Sequence, residues 1–168
     1  MINTLRYQKA WEDAGFGRQT LNADYSLRAA TKMLSSDYAY ARHQWALNYL
    51  FERNKDQVVT EFSGGAINGQ APLFDRFVLG NTSTLRGWDK YSIAPLDGNR
   101  MMYGSIEFRH RSHLAAFYDT GAVWDRGRTM EIRHSAGIGI RSPSFFCFIA
   151  IPLREGRLEP QLMTGVNF

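Results

Sequence analysis

Three charged residues have the types and placement to act as one group: Arg86, Glu107 and Asp119. Arg86 lies in an aperiodic stretch and is followed by Gly87, whose missing Cβ permits a tight turn. Glu107 and Asp119 each fall about midway along an alternating segment, on its polar side. A guanidinium presents a rigid fork of donors that suits carboxylates, the more so where water is scarce. The residues alone leave two arrangements open. Arg86 is held by Asp119, Glu107 or both, or it is a solvated loop charge and the acids line a wet interior. Other groupings offer less. His110 and His113 are three apart, which on a strand directs them to opposite faces, and His113 falls in a turn. With His43 and His134 they make no metal set. Ser63-Gly64-Gly65 and Gly137-Ile138-Gly139 lack phosphate-loop spacing, and no Ser-His-Asp arrangement has an independent cue. Cys147 stands alone within Phe145-Phe146-Cys147-Phe148, so it can form neither an intrachain disulfide nor a cysteine zinc site, and reads as a small apolar filler. No metal, cofactor or enzymatic activity is expected.

The elements that must position Arg86 and the two acids are strands. Alternation with period two recurs along the chain. Leu21, Ala23, Tyr25, Leu27 and Ala29 alternate with Asn22, Asp24, Ser26 and Arg28, and Ile132, His134, Ala136, Ile138 and Ile140 alternate with Arg133, Ser135, Gly137, Gly139 and Arg141. Nine such segments are read, at about 2–12, 17–31, 37–51, 56–66, 99–111, 114–125, 130–141, 144–154 and 158–168. Aromatics at 14% and 15 glycines among 168 residues suit sheet better than helix. Links of hairpin length predict an antiparallel meander. The exception is the 32-residue stretch 67–98, long enough to be functional in its own right.

Alternating strands build either a soluble barrel with its apolar side inward or an outer-membrane barrel with it outward. Three features favour the membrane form. Charges of both signs recur on the polar faces (Asp24, Arg28, Glu107, Arg109, Asp119, Arg133), as a wet lumen requires. Trp11, Tyr38, Tyr40 and Trp124 sit near segment ends, where an interfacial belt belongs. The segments also have the length of tilted bilayer-crossing strands. No 18-residue apolar run exists to form a transmembrane helix, and no basic-then-apolar leader opens the chain, so a leader was removed or this is part of a longer product. The net charge of +4 is carried by scattered basic residues, which a solvated or headgroup-facing surface explains without nucleic acid. Nine strands close awkwardly where even numbers are the rule, and an eight-stranded barrel has no room for so long a loop. The sheet is therefore expected to be part of a larger barrel, shared between two chains or continued in a longer one.

The run Phe77-Val78-Leu79-Gly80-Asn81-Thr82-Ser83-Thr84-Leu85-Arg86-Gly87-Trp88 resembles the long-loop motif of the bacterial surface antigen family of outer-membrane assembly factors, the BamA and TamA relatives. The core of that motif is Leu85-Arg86-Gly87-Trp88. Later matches follow in order: Gly104-Ser105-Ile106-Glu107-Phe108-Arg109, then Ala116-Phe117-Tyr118-Asp119-Thr120-Gly121-Ala122-Val123-Trp124-Asp125, then His134-Ser135-Ala136-Gly137-Ile138-Gly139-Ile140-Arg141 and a final strand ending on Phe168. The resemblance is strongest over 74–168, with five strands after the long loop as in the family.

That resemblance implies an all-β, antiparallel transmembrane barrel domain over 1–168, holding about the last nine of the family's roughly sixteen strands. It implies a bacterial outer-membrane location, a loop folded into the lumen, and Arg86 held by acidic side chains of the inner wall, Asp119, Glu107 or both, as a structural lock. POTRA domains and the opening strands are expected to be absent. The last strand, with Leu162, Thr164, Val166 and Phe168 on one face, resembles the family's seam and carboxy-terminal signal. The implied partners are the lipid bilayer and its lipopolysaccharide, outer-membrane or secreted protein substrates, and a second copy or a larger chain that completes the barrel. The implied role is insertion or translocation by strand pairing. A membrane anchor or secretion pore for a passenger domain, a simple diffusion pore and a soluble β-rich binding domain are the competing readings.

Overall fold

The computed structural model describes residues 2–13, 16–31, 37–93, 98–111, 113–154 and 157–166. Its strands are β1 (Ile2–Asp13), β2 (Gly17–Ala30), β3 (Ala39–Arg53), β4 (Asp56–Gln70), β5 (Arg100–His110), β6 (Leu114–Trp124), β7 (Arg133–Arg141), β8 (Phe145–Arg154), β9 (Arg157–Leu158) and β10 (Gln161–Val166). All pairings are antiparallel between neighbours in the chain, in the order β1-β2-β3-β4-β5-β6-β7-β8-β10, with β9 also on β8. Among the described residues β1 pairs only with β2 and β10 only with β8, so the meander is an open sheet. The segment expected at 158–168 is two pieces, β9 and β10, and Phe168 lies outside the described residues.

The alternation acts as a membrane barrel requires. Leu5, Tyr25, Trp45, Leu47, Phe62, Met102, Ile106, Phe108, Tyr118, Ile138, Ile149, Leu162 and Val166 are all exposed on the outer face. Such a surface is disfavoured in water and suits hydrocarbon. Two expectations need correction. β4 runs on to Gln70, so the loop proper begins at Ala71 and not at Ile67. Tyr40 is no belt residue: its hydroxyl donates to Asp75 on the inner side.

The interior is filled from the loop. A short 3-10 turn (Leu73–Asp75), a bridge between Phe77 and Gly98, and one helical turn, α1 (Lys90–Ile93), punctuate it. Phe77, Leu79, Leu85 and Trp88 are buried against Ile67, Met101, Tyr103 and Val123. A second apolar cluster, of Ala115, Phe117, Phe148 and Ala150, lines the wall beside it. Space for the loop is made by omission of side chains: a Cβ on Gly65 would strike the Phe77 ring, and one on Gly121 would stand 2.8 Å from Leu79.

Candidate functional site: the buried arginine of the long loop

The loop approaches the wall through a tight local turn. The Asn81 Oδ1 accepts from the backbone amides of Ser83 and Thr84, each at 2.8 Å, and the Gly80 and Asn81 amides donate to the Thr84 carbonyl. Leu85 (φ 49°) and Gly87 (φ 85°) both adopt left-handed backbone on either side of Arg86. For Leu85 that conformation is unfavourable, and complete burial of its side chain offsets it. At Gly87 a Cβ would also meet the Ala150 Cβ at 2.9 Å, so glycine is required twice over. The backbone therefore turns against β8, and the Gly87 amide reaches the Met163 sulfur of β10 at 3.1 Å.

Arg86 projects from this turn onto β5 and β6. Its backbone amide and Nε both donate to Asp119 Oδ2 at 2.9 Å, and one terminal nitrogen donates to Asp119 Oδ1 at 2.8 Å. Its other terminal nitrogen donates to Glu107. Register explains the convergence: Asp119 pairs with Ser105, so Glu107 lies two residues along β5 on the same face. Arg86 and Glu107 are each 4% exposed and Asp119 is 0% exposed. The guanidinium also lies over the Phe117 ring, 3.5 Å from its centroid. Phe117 can occupy that position because a Cβ on Gly137 of the next strand would collide with its ring. Burial by itself lowers the basicity of Arg86; the hydrogen bonds and charge of Asp119, then those of Glu107, more than offset it, so the guanidinium is raised and stays charged.

The structure thus brings together the three residues singled out first, and adds several that sequence reasoning did not join to them. Ser105 accepts from Arg86 at 3.1 Å and donates to Asp119 at 2.7 Å. Arg109 Nε donates to the second oxygen of Glu107 at 2.6 Å, and Arg141 Nε stands 3.1 Å from the same atom. Each shares the inward parity of its strand, which is the signal that could have found it. A cavity of about 410 Å³ adjoins Arg86, and Glu61, Ser83, Tyr103, Arg109 and Arg141 help to line it. Trp88 donates through its indole N–H to the His134 carbonyl at 2.9 Å, and the guanidinium groups of Arg133 and Arg154 both lie over its ring. At the loop's start Asp75 accepts from Arg28 and Tyr40, and Arg76 pairs with Asp125. Leu162 and Val166 are exposed on the outer face of β10, while Thr164 shares their parity.

The family model of the Omp85 superfamily domain matches residues 16–147. The chain belongs to the Omp85 superfamily. The Outer membrane protein assembly factor BamA of Nitratidesulfovibrio vulgaris (strain ATCC 29579 / DSM 644 / CCUG 34227 / NCIMB 8303 / VKM B-1760 / Hildenborough) is 31% identical over 143 residues. That alignment covers 70% of this chain and 17% of the relative, so the chain spans a small part of the length of the protein it matches. Omp85 membership and the outward apolar face together place this sheet in the bacterial outer membrane.

Proposed function

We propose that this Omp85 sheet supplies the loop-bearing wall and an open seam of a barrel that inserts or translocates outer-membrane or secreted proteins. The observation that carries the reading is the edge at β10, which is hydrogen-bonded on one side only among the described residues. Free N–H and C=O groups facing hydrocarbon are costly, so that edge pairs with another strand: a closing strand, a second copy, a larger partner chain or an incoming substrate. Leu162, Thr164 and Val166 form the lipid-facing side of the seam. Arg86, Gly87, Glu107 and Asp119 act as a lock that holds the loop in the lumen, and Leu85 and Trp88 seat the motif on either side. The role asks for no catalytic group. A plain diffusion pore is a poorer reading, because the loop packs apolar side chains where a channel would run.

Photo-crosslinking from Leu162, Thr164 and Val166, each replaced in turn by a photoreactive residue, tests the seam in cells. Adducts with precursors of other outer-membrane proteins are expected. Adducts confined to a fixed strand of the same barrel would overturn the insertion reading and leave a closed seam. Native mass spectrometry from micelles separates a dimer from an association with a larger chain.

A further inference from the structure

The outer face carries two apolar concavities among the described residues, and the larger, of about 570 Å³ against about 210 Å³, is more than a uniform lipid-facing surface needs. Phe108, Ile138, Ile149 and Leu162 wall a groove of about 570 Å³, with the small side chains of Ala116 and Cys147 between them. Its size is that of pockets that hold a whole small ligand. Its wall is almost wholly apolar and opens toward the bilayer, so the ligand chemistry that fits is an acyl chain.

The end of the groove is different in kind. His110 and Leu114, on either side of the β5–β6 turn, line it there. The Arg111 amide of that turn donates to the Lys55 carbonyl at 2.7 Å, which ties it to the β3–β4 turn. Short hairpin turns of such barrels face the periplasm. Arg53, Lys55 and Arg111 are exposed at this rim, against the carboxylates of Asp56, which already holds His110 Nδ1 at 2.6 Å, and Glu52, which accepts from Gln57 at 2.7 Å. An excess of positive charge therefore stands where a lipid with its chain in the groove would place its phosphate.

We propose that the groove and the paired turns form a binding site for one anionic glycerophospholipid of the periplasmic leaflet, with its phosphate on Lys55 and Arg111. The proposal does not rest on the insertion reading above, only on the sheet's place in the membrane.

The full chain in detergent is mixed with phosphatidylglycerol or with phosphatidylcholine of the same acyl chains and examined by native mass spectrometry. One phosphatidylglycerol should survive collision energies that strip phosphatidylcholine, and Lys55→Ser with Arg111→Ser should reduce that preference roughly tenfold. Both positions lie in exposed turns, and circular dichroism checks that the sheet persists. In the unaltered protein, phosphatidylglycerol should also slow maleimide labelling of Cys147 more than phosphatidylcholine does. Equal retention of the two lipids overturns the proposal. So does a preference that survives the double substitution, unchanged labelling of Cys147, or replacement of phosphatidylglycerol by lipopolysaccharide.

Discussion

The first three strands and the four from β5 to β8 follow the same alternation and have different interiors. In β1–β3 none of the residues whose burial is described is fully buried, and the inward charges are in reach of solvent. In β5–β8 the inward positions Tyr103, Ser105, Glu107, Phe117, Asp119, Ser135, Phe148 and Ala150 are all buried. Each region takes part in an arginine–aspartate pair. Arg6 meets Asp24 across β1 and β2 at 2.6 Å with the arginine side chain 74% exposed, whereas Arg86 meets Asp119 at 2.8 Å with both groups out of water. The sheet thus sets the direction of a side chain, and the loop sets its dielectric surroundings. An identical chemical pair is a surface ornament in one half and a structural commitment in the other.

Arg86→Ala should separate the halves most strongly. It leaves Asp119 and Glu107 buried without their main partner, which costs about 3–5 kcal/mol. The expected signs are proteolysis within the loop and loss of heat-modifiable migration. An unchanged loop and unchanged migration would sink the lock. Gly137→Ala probes the same half less directly by pushing Phe117 from beneath the guanidinium, at about 1–3 kcal/mol. A fall in the urea midpoint, followed by tryptophan fluorescence in micelles, reports it; no fall would mean that the ring is not tightly held. Trp88→Phe removes one indole hydrogen bond to the His134 carbonyl and should cost about 1 kcal/mol. The same urea titration measures it, with circular dichroism as the probe since a tryptophan is lost. Arg6→Ala, in the open half, should leave the midpoint where it is. Equal losses at Arg6 and Arg86 would erase the distinction between the two regions.

How much of this was legible in the sequence follows the same division. Strand direction was readable because outward Leu, Ile and Phe alternate with polar or glycine residues, as in Ile138-Gly139-Ile140. The end of β4 was not, because Ile67-Asn68-Gly69-Gln70 abandons the alternation while its backbone still pairs with Ala39–Arg42 of β3. Arg86, Glu107 and Asp119 were legible as a group by charge and parity. Ser105, Arg109 and Arg141 share that parity, and only the distances distinguish them from other inward residues. Tyr40 departs from the expected belt because a tyrosine at a strand end suits a headgroup region and a lumen acid equally well. The apolar loop residues Phe77, Leu79 and Leu85 have no period to reveal what they pack against, so the apolar cluster they form with Ile67, Met101, Tyr103 and Val123 was beyond reach.

The loop's anchors are spread widely across the sheet. Asp75 takes Arg28 of β2 and Tyr40 of β3, Arg76 takes Asp125 just beyond β6, Trp88 takes His134 of β7, and Gly87 rests on Ala150 of β8 and Met163 of β10. Each tie crosses the hollow of the sheet and not its hydrogen-bonded seams. The wall's radius of curvature is thereby braced from within, independently of which strands meet at its two edges. The curvature of this wall therefore belongs to the loop and its anchors, and not to the strands that lie at its two edges.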